Sequence, residues 1–148
     1  MKQKVINADG AGDVLHCLGA DVKFLCEAEK TDNAWSLMEV VLPENAGPPP
    51  HDHAWDEAYY VVAGDVRFSI EGKDQIVKAG GFVYAPGGTV HGFQGASKTP
   101  ARVIIFDAPA HAEAFFREVD REVRRPEDMP KVPAIGERNG IRFRMAAG

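Results

Sequence analysis

A chain of 148 residues with a hydrophobic fraction of 45% and a charged fraction of 26% has the size and composition of one globular domain, which excludes wholesale disorder. A formal net charge of -5, with no basic stripe ahead of the tail, argues against a nucleic-acid partner. The absence of an apolar run of ~18 residues argues against a membrane helix, and "MKQKVINADG" lacks the apolar core of a signal peptide, so a cytoplasmic home is expected. Cys17 and Cys26, nine positions apart in neither a redox nor a ligand spacing, are expected to be reduced, buried thiols.

Fifteen glycines and ten prolines imply many turns and favour short strands. In chain order, "GDVLHCLGAD" fits no single pattern, whereas "DVKFLCEAEK" ahead of "WSLMEVVL" predicts an antiparallel pair. "AYYVVA", "VRFSI", "QIVK", "GFVYAP" and "RVIIFD" read as further strands, with a hairpin turning at Glu71 to Asp74. The segments between them, among them "LPENAGPPP", "KAGG" and "PGGT", are rich in the residues that turns require. Phe115, Val119 and Val123 then recur every four residues, which predicts an amphipathic helix over about 110–125, stopped by Pro126. Residues 126–148 carry three prolines and little periodicity, and are expected to form an extended tail. Many short strands followed by one helix predict an all-β antiparallel sandwich or barrel over about 1–107, within a single domain spanning 1–148.

Side chains two apart on a strand share a face, so an extended run that began early enough would align His51, His53, Glu57 and Tyr59. Two imidazoles and a carboxylate make most of a divalent-metal site. His91 follows a Gly-rich turn after a different strand, and a barrel that brought it alongside would complete a set of three histidines and one glutamate. Taken singly, each residue has an ordinary reading as a surface or hydrogen-bonded group. The joint placement is what points to a metal, because three of only five histidines fall at glycine-bracketed strand ends.

The order G-x3-H-x-H-x3-E-x6-G from Gly47 to Gly64 resembles the first motif of the cupin superfamily, and G-x5-P-x-G-x2-H from Gly80 to His91 resembles the second. The resemblance implies a cupin barrel, a double-stranded β-helix or jelly roll, with a C-terminal helix. It also implies that His51, His53, Glu57 and His91 bind one divalent transition metal, that Gly64 and Gly88 make turns, and that Pro86 orients the loop delivering His91. Two departures stand out: the usual glycine lies two residues further ahead of the first histidine, and Gly95 takes the place of a frequent Asn. Pro48, Pro49 and Pro50 fill the shortened lead-in and stiffen it.

Ligand type alone leaves Fe, Mn, Ni, Co, Cu and Zn open. The "PPHDH" entry, "DEAYYVVAG" and the "FF" helix followed by a tail ending near "ERNGIRF" resemble the single-domain, quercetin-dioxygenase-like cupins. That resemblance implies a dioxygenase acting with dioxygen on a small enolisable or phenolic compound, with Glu57 both ligating and accepting a proton. A metal-dependent isomerase or lyase of the same fold, and a non-catalytic small-molecule binder, are the competing classes. Arg67 alternates away from the apolar face of its strand, which counts against phosphorylated sugars. Trp55, Tyr59, Tyr84 and Phe93, with Phe82, are the candidates for a substrate pocket, Trp55 and Phe93 foremost because they stand beside ligands at loop positions. Barrel core is the plainer reading for most of these aromatics. Sheet edges that need protection make a homodimer the expected assembly.

Overall fold

In the computed structural model, which describes residues 1–144, the strands build two antiparallel sheets. The larger runs, in spatial order, β1 (Leu15–Cys17), β2 (Ala20–Cys26), β3 (Ser36–Leu42), β10 (Ala101–Ala108), β5 (Asp56–Ala63) and β8 (Phe82–Ala85). The smaller runs β11 (Arg142–Phe143), β4 (His51–Asp52), β9 (His91–Gly95), β6 (Asp65–Ile70) and β7 (Lys73–Lys78). This is the all-β antiparallel architecture that the strand pattern predicts, in the jelly-roll form that the resemblance implies, and the pair expected from "DVKFLCEAEK" and "WSLMEVVL" is β2 against β3.

Period-two alternation decides which side chains meet between the sheets. Strand β3 turns Met38, Val40 and Leu42 inward and β10 turns Val103 and Ile105 inward, with Val103 opposite Val40 and Ile105 opposite Met38. Facing them, the smaller sheet contributes Val66, Phe68 and Phe93. The Tyr59 ring bridges the two sheets, 5.2 Å from Phe68 and 5.3 Å from Phe93. Each such apolar side chain, once fully buried, stabilises the fold by ~1.5–3 kcal/mol before entropy is counted.

Two turns are tighter or more constrained than pattern alone conveys. The hairpin of β6 and β7 closes between Ile70 and Lys73 through Glu71 and Gly72, both at positive φ, the turn whose twist matches paired strands. Gly64, at φ +73°, sits where a Cβ would come within 2.9 Å of the Ala101 backbone, so the β5–β6 turn tolerates no side chain.

The buried carboxylate of Asp107, at the end of β10, accepts hydrogen bonds from the Ser36 hydroxyl and from the backbone N–H groups of His111 and Ala112, each at 2.9 Å. It thereby satisfies the N-terminus of helix α1 (Ala112–Glu122), whose own preceding residue supplies no side-chain cap. Helix α1 buries Phe115 and Val119, and Phe116 packs 6.4 Å from Phe24, so the helix closes one end of the barrel.

The expected extended tail is instead folded: a 3-10 turn over Pro126–Lys131, helix α2 (Val132–Arg138) and then β11. The prolines mislead because Pro126 and Pro133 stand in the first turn of each helical segment, where no N–H is needed. The last residues of that expected tail, 145–148, lie outside the described residues. The first strand begins at Leu15, so residues 1–14 add none to the barrel expected from residue 1. Cys17 is buried, Cys26 is partly buried, and both thiols are free. Burial pushes the Cys17 thiol up to about 12. Among the described residues, no helix is long and apolar enough to cross a membrane.

Candidate metal centre

The ligand segment is not one extended run. Strand β4 belongs to the smaller sheet and pairs His51 with His91 of β9, while Glu57 lies on β5 of the larger sheet. The chain crosses from one wall of the barrel to the other between Asp52 and Asp56, so the histidines and the carboxylate approach from opposite sides. The turn ahead of His91 docks onto this crossing: the Gly88 N–H donates to the His53 carbonyl at 2.8 Å. A Cβ on Gly87 would meet the Ala54 carbonyl oxygen at 2.1 Å, which makes glycine a requirement of the docking.

His51, His53 and His91 are all buried, and one ring nitrogen of each lies within 4.8 Å of the others. Their Nδ1 atoms are engaged by carbonyls, His51 with Pro49 at 2.8 Å, His53 with Trp55 at 3.0 Å and His91 with Thr89 at 2.8 Å. A carbonyl only accepts, so each Nδ1 carries a proton, and a ring in its neutral form keeps its lone pair on Nε2. Backbone groups that hold the tautomer in this way are the usual outer support of metal-ligating histidines.

Glu57 faces the same point. Its Oε1 is 2.9 Å from His53 Nε2 and accepts from Trp55 Nε1 at 3.2 Å, while its Oε2 is 3.7 Å from His91 Nε2 and accepts from the Tyr59 hydroxyl. His53 Nε2 and His91 Nε2 are buried with no hydrogen-bond partner among the described residues. Lone pairs set against a carboxylate repel unless positive charge lies between them, and orphaned buried polar atoms are costly. The donor set therefore fits a divalent cation.

Burial, and then the neighbouring His91, push His51 down to about 4, so its ring is neutral at pH 7. Burial drives the Glu57 carboxyl upward, but the His53 and His91 imidazoles that face it overcome this and hold the group well below the usual carboxylate range. Burial together with the Glu57 charge raises Tyr59 well above its ordinary value, which keeps its hydroxyl a proton donor.

The other residues singled out in the sequence divide. Trp55 is buried, stacks on His53 with ring centres 4.1 Å apart, and points its N–H at Glu57. Tyr59 lies in the core as a hydrogen-bond donor to Glu57, a function that its spacing of two from the glutamate leaves open. Phe93 borders the cavity beside His51 and Glu57. Tyr84 and Phe82 are not in the interior: 54% and 63% exposed, they stand on the outer face of β8, because alternation there turns Ala85 inward. Sequence reasoning missed Asp52, also buried on β4, and the C-terminal partners Ile141 and Phe143, since no local pattern connects positions ninety residues apart.

Residues 38–107 match the family model described as the cupin domain. No curated protein matches the sequence. Among solved structures, KdgF from Halomonas sp. is similar at 24% identity and a TM-score of 0.62, over 73% of this chain and 95% of that one. The polyketide cyclase RemF from Streptomyces resistomycificus aligns at 20% identity and a TM-score of 0.61, over 74% and 81%. An RmlC-like cupin from Shewanella frigidimarina aligns at 17% identity and a TM-score of 0.64, over 76% and 98%. At these identities the likeness is one of fold.

Proposed function

We propose that this chain, a cupin by its matched domain and its fold, is a metal-dependent dioxygenase of the quercetin-dioxygenase-like kind, acting on a small enolisable or phenolic compound. The observation that carries the reading is the convergence of three buried imidazoles on one carboxylate, with two Nε2 atoms left unpartnered among the described residues. In this reading His51, His53, His91 and Glu57 hold one divalent transition metal, drawn from Fe, Mn, Ni, Co, Cu and Zn. When bound, the metal would supply Lewis acidity to a chelating substrate oxygen and, if it is one of the redox-active members of that set and not Zn, electron exchange with dioxygen.

The chain's own residues supply the rest. Glu57 accepts the proton of a substrate hydroxyl at a carboxylate oxygen, and Tyr59 and Trp55 hold that carboxylate in place through one hydrogen bond to each oxygen. Met38, Ile105, Phe93 and Phe115 line the space beside His51 and Glu57, and they keep water from it. Among the described residues that lining includes no lysine or arginine, which favours an uncharged substrate over a phosphate or dicarboxylate. A second reading, an isomerase or lyase working without oxygen, has one observation in its favour: among the described residues Glu57 is the single carboxylate in the lining, and it serves proton transfer equally well. The aromatic outer face around Phe82 and Tyr84 supports the homodimer that exposed sheet edges lead one to expect.

The test is metal content of the purified protein beside His51→Ala and His91→Ala, followed by oxygen uptake with flavonols and other enolisable phenols. About one metal per chain, lost in both variants, with substrate-dependent oxygen uptake, is the expected result. Metal without oxygen uptake moves the reading to the isomerase or lyase. No metal, even after reconstitution with all six candidates, removes both.

A further inference from the structure

The space beside His51 and Glu57 is a cavity of about 20 Å³. That is room for one water-sized molecule, whereas an apolar cavity known to take benzene measures about 150 Å³. The barrel alone does not close it. Phe115 and Phe116 of α1 and Ile141 and Phe143 of the C-terminal segment complete the wall.

Phe143 is held there by three features. Strand β11 pairs with β4, setting Phe143 opposite His51 with the rings 5.5 Å apart. Gly136 of α2 leaves space for the ring, since a Cβ there would lie 2.8 Å from Phe143. Arg142 Nε and Arg144 Nε both donate to the buried Asp52 carboxylate, at 3.1 and 2.6 Å.

None of these makes a permanent closure. Strand β11 is two residues long and forms the edge of its sheet. The arginine side chains on Asp52 are 69% and 48% exposed, so salt screens that end of the pairs although the carboxylate itself is buried. Gly140, at φ +79°, turns the chain between α2 and β11 and lies over Trp55, where a Cβ would be 3.3 Å from the ring.

We propose that Phe143 sets the size of ligand that reaches the interior site, and that an aromatic-sized ligand enters only when β11 peels from β4 and breaks the contacts of Arg142 and Arg144 with Asp52. The ligand-size claim rests on the metal reading above; the peeling of β11 does not.

Opening of the segment uncovers Trp55, which gives a readout that needs no metal. In a Trp35→Phe background Trp55 is the sole tryptophan, and acrylamide quenching of its fluorescence is expected to rise at least threefold in Arg142→Ala/Arg144→Ala. Salt is expected to raise quenching in the parent and not in the double variant. Equal quenching in both, at low and high salt, overturns the gate.

For ligand size, the protein is loaded with Co²⁺ and mixed with azide or 4-nitrocatechol while visible absorption is followed. Phe143→Ala, and Phe143→Leu should the first variant fold poorly, are expected to speed 4-nitrocatechol binding at least tenfold and azide binding less than twofold. Equal acceleration of both ligands, or of neither, overturns the role of Phe143. Failure to take up Co²⁺ in every variant counts against the metal reading and overturns the ligand-size claim with it, and the quenching result then decides the gate alone.

Discussion

Replacing Tyr59 by phenylalanine isolates one hydrogen bond at the candidate site. The ring is 1% exposed and packs between Phe68 and Phe93, so the substitution keeps the core filled and removes only the hydroxyl. That hydroxyl donates to Glu57 Oε2, whose other neighbour, His91 Nε2, is 3.7 Å away and beyond hydrogen-bond reach. A hydrogen bond to a charged group contributes ~1.5–3 kcal/mol, and more is lost when the charge stays buried without a partner. The metal-free variant is therefore expected to lose about 2–3 kcal/mol in urea unfolding at pH 7. For a chain of this size that is a fall of about 5–10 °C in Tm. Because the same bond orients a proposed ligand, affinity for Co²⁺ is expected to fall ~10–100-fold, the usual cost of losing an outer partner of a ligand. Stability within ~0.5 kcal/mol of the parent, or unchanged Co²⁺ affinity, would show that Glu57 keeps its position without Tyr59.

Two further outcomes follow from burial. His51 titrates at about 4 in the folded protein against 6.5 unfolded, so below 6.5 the unfolded chain binds the proton and the folded one does not. Metal-free protein is expected to lose about 1.5 kcal/mol more than His51→Gln between pH 6.5 and 5, measured by urea unfolding at both values; parallel pH dependence in the two would mean that His51 is not desolvated. For the dimer, five aromatics on the outer face of the larger sheet, Trp35, Tyr60, Phe82, Tyr84 and Phe106, are each 37–63% exposed. Burying them would cover about 500 Å² per protomer, short of but comparable with the ~800 Å² of a standard interface. Phe82→Lys/Tyr84→Lys is expected to convert a dimer to a monomer in sedimentation velocity, and a parent that sediments as a monomer at 50 μM refutes the assembly.

The sequence by itself determined the strands whose burial is periodic. "SLMEVVL" and "RVIIFD" are marked as strands by their apolar, β-branched runs, and the strict alternation of their burial follows from the two-residue repeat of a strand. It also determined the candidate ligands, because their types and spacings survive folding whichever wall each one occupies. Where the reading relied on continuity it failed: the ligand segment crosses between sheets at His53 to Trp55, and the proline-marked tail folds into turns, a helix and a strand.

Only the tertiary structure decided the rest. The tautomers of His51, His53 and His91 are set by carbonyls of the backbone around them, whose positions depend on how the loops close. The outward place of Tyr84 depends on which of two equivalent pleat phases β8 adopts against β5. Asp52, Arg142 and Phe143 meet across ninety residues of chain. A local pattern carries the periodicity of one element, while contacts between elements depend on how the whole chain balances burial against the entropy of closing its loops.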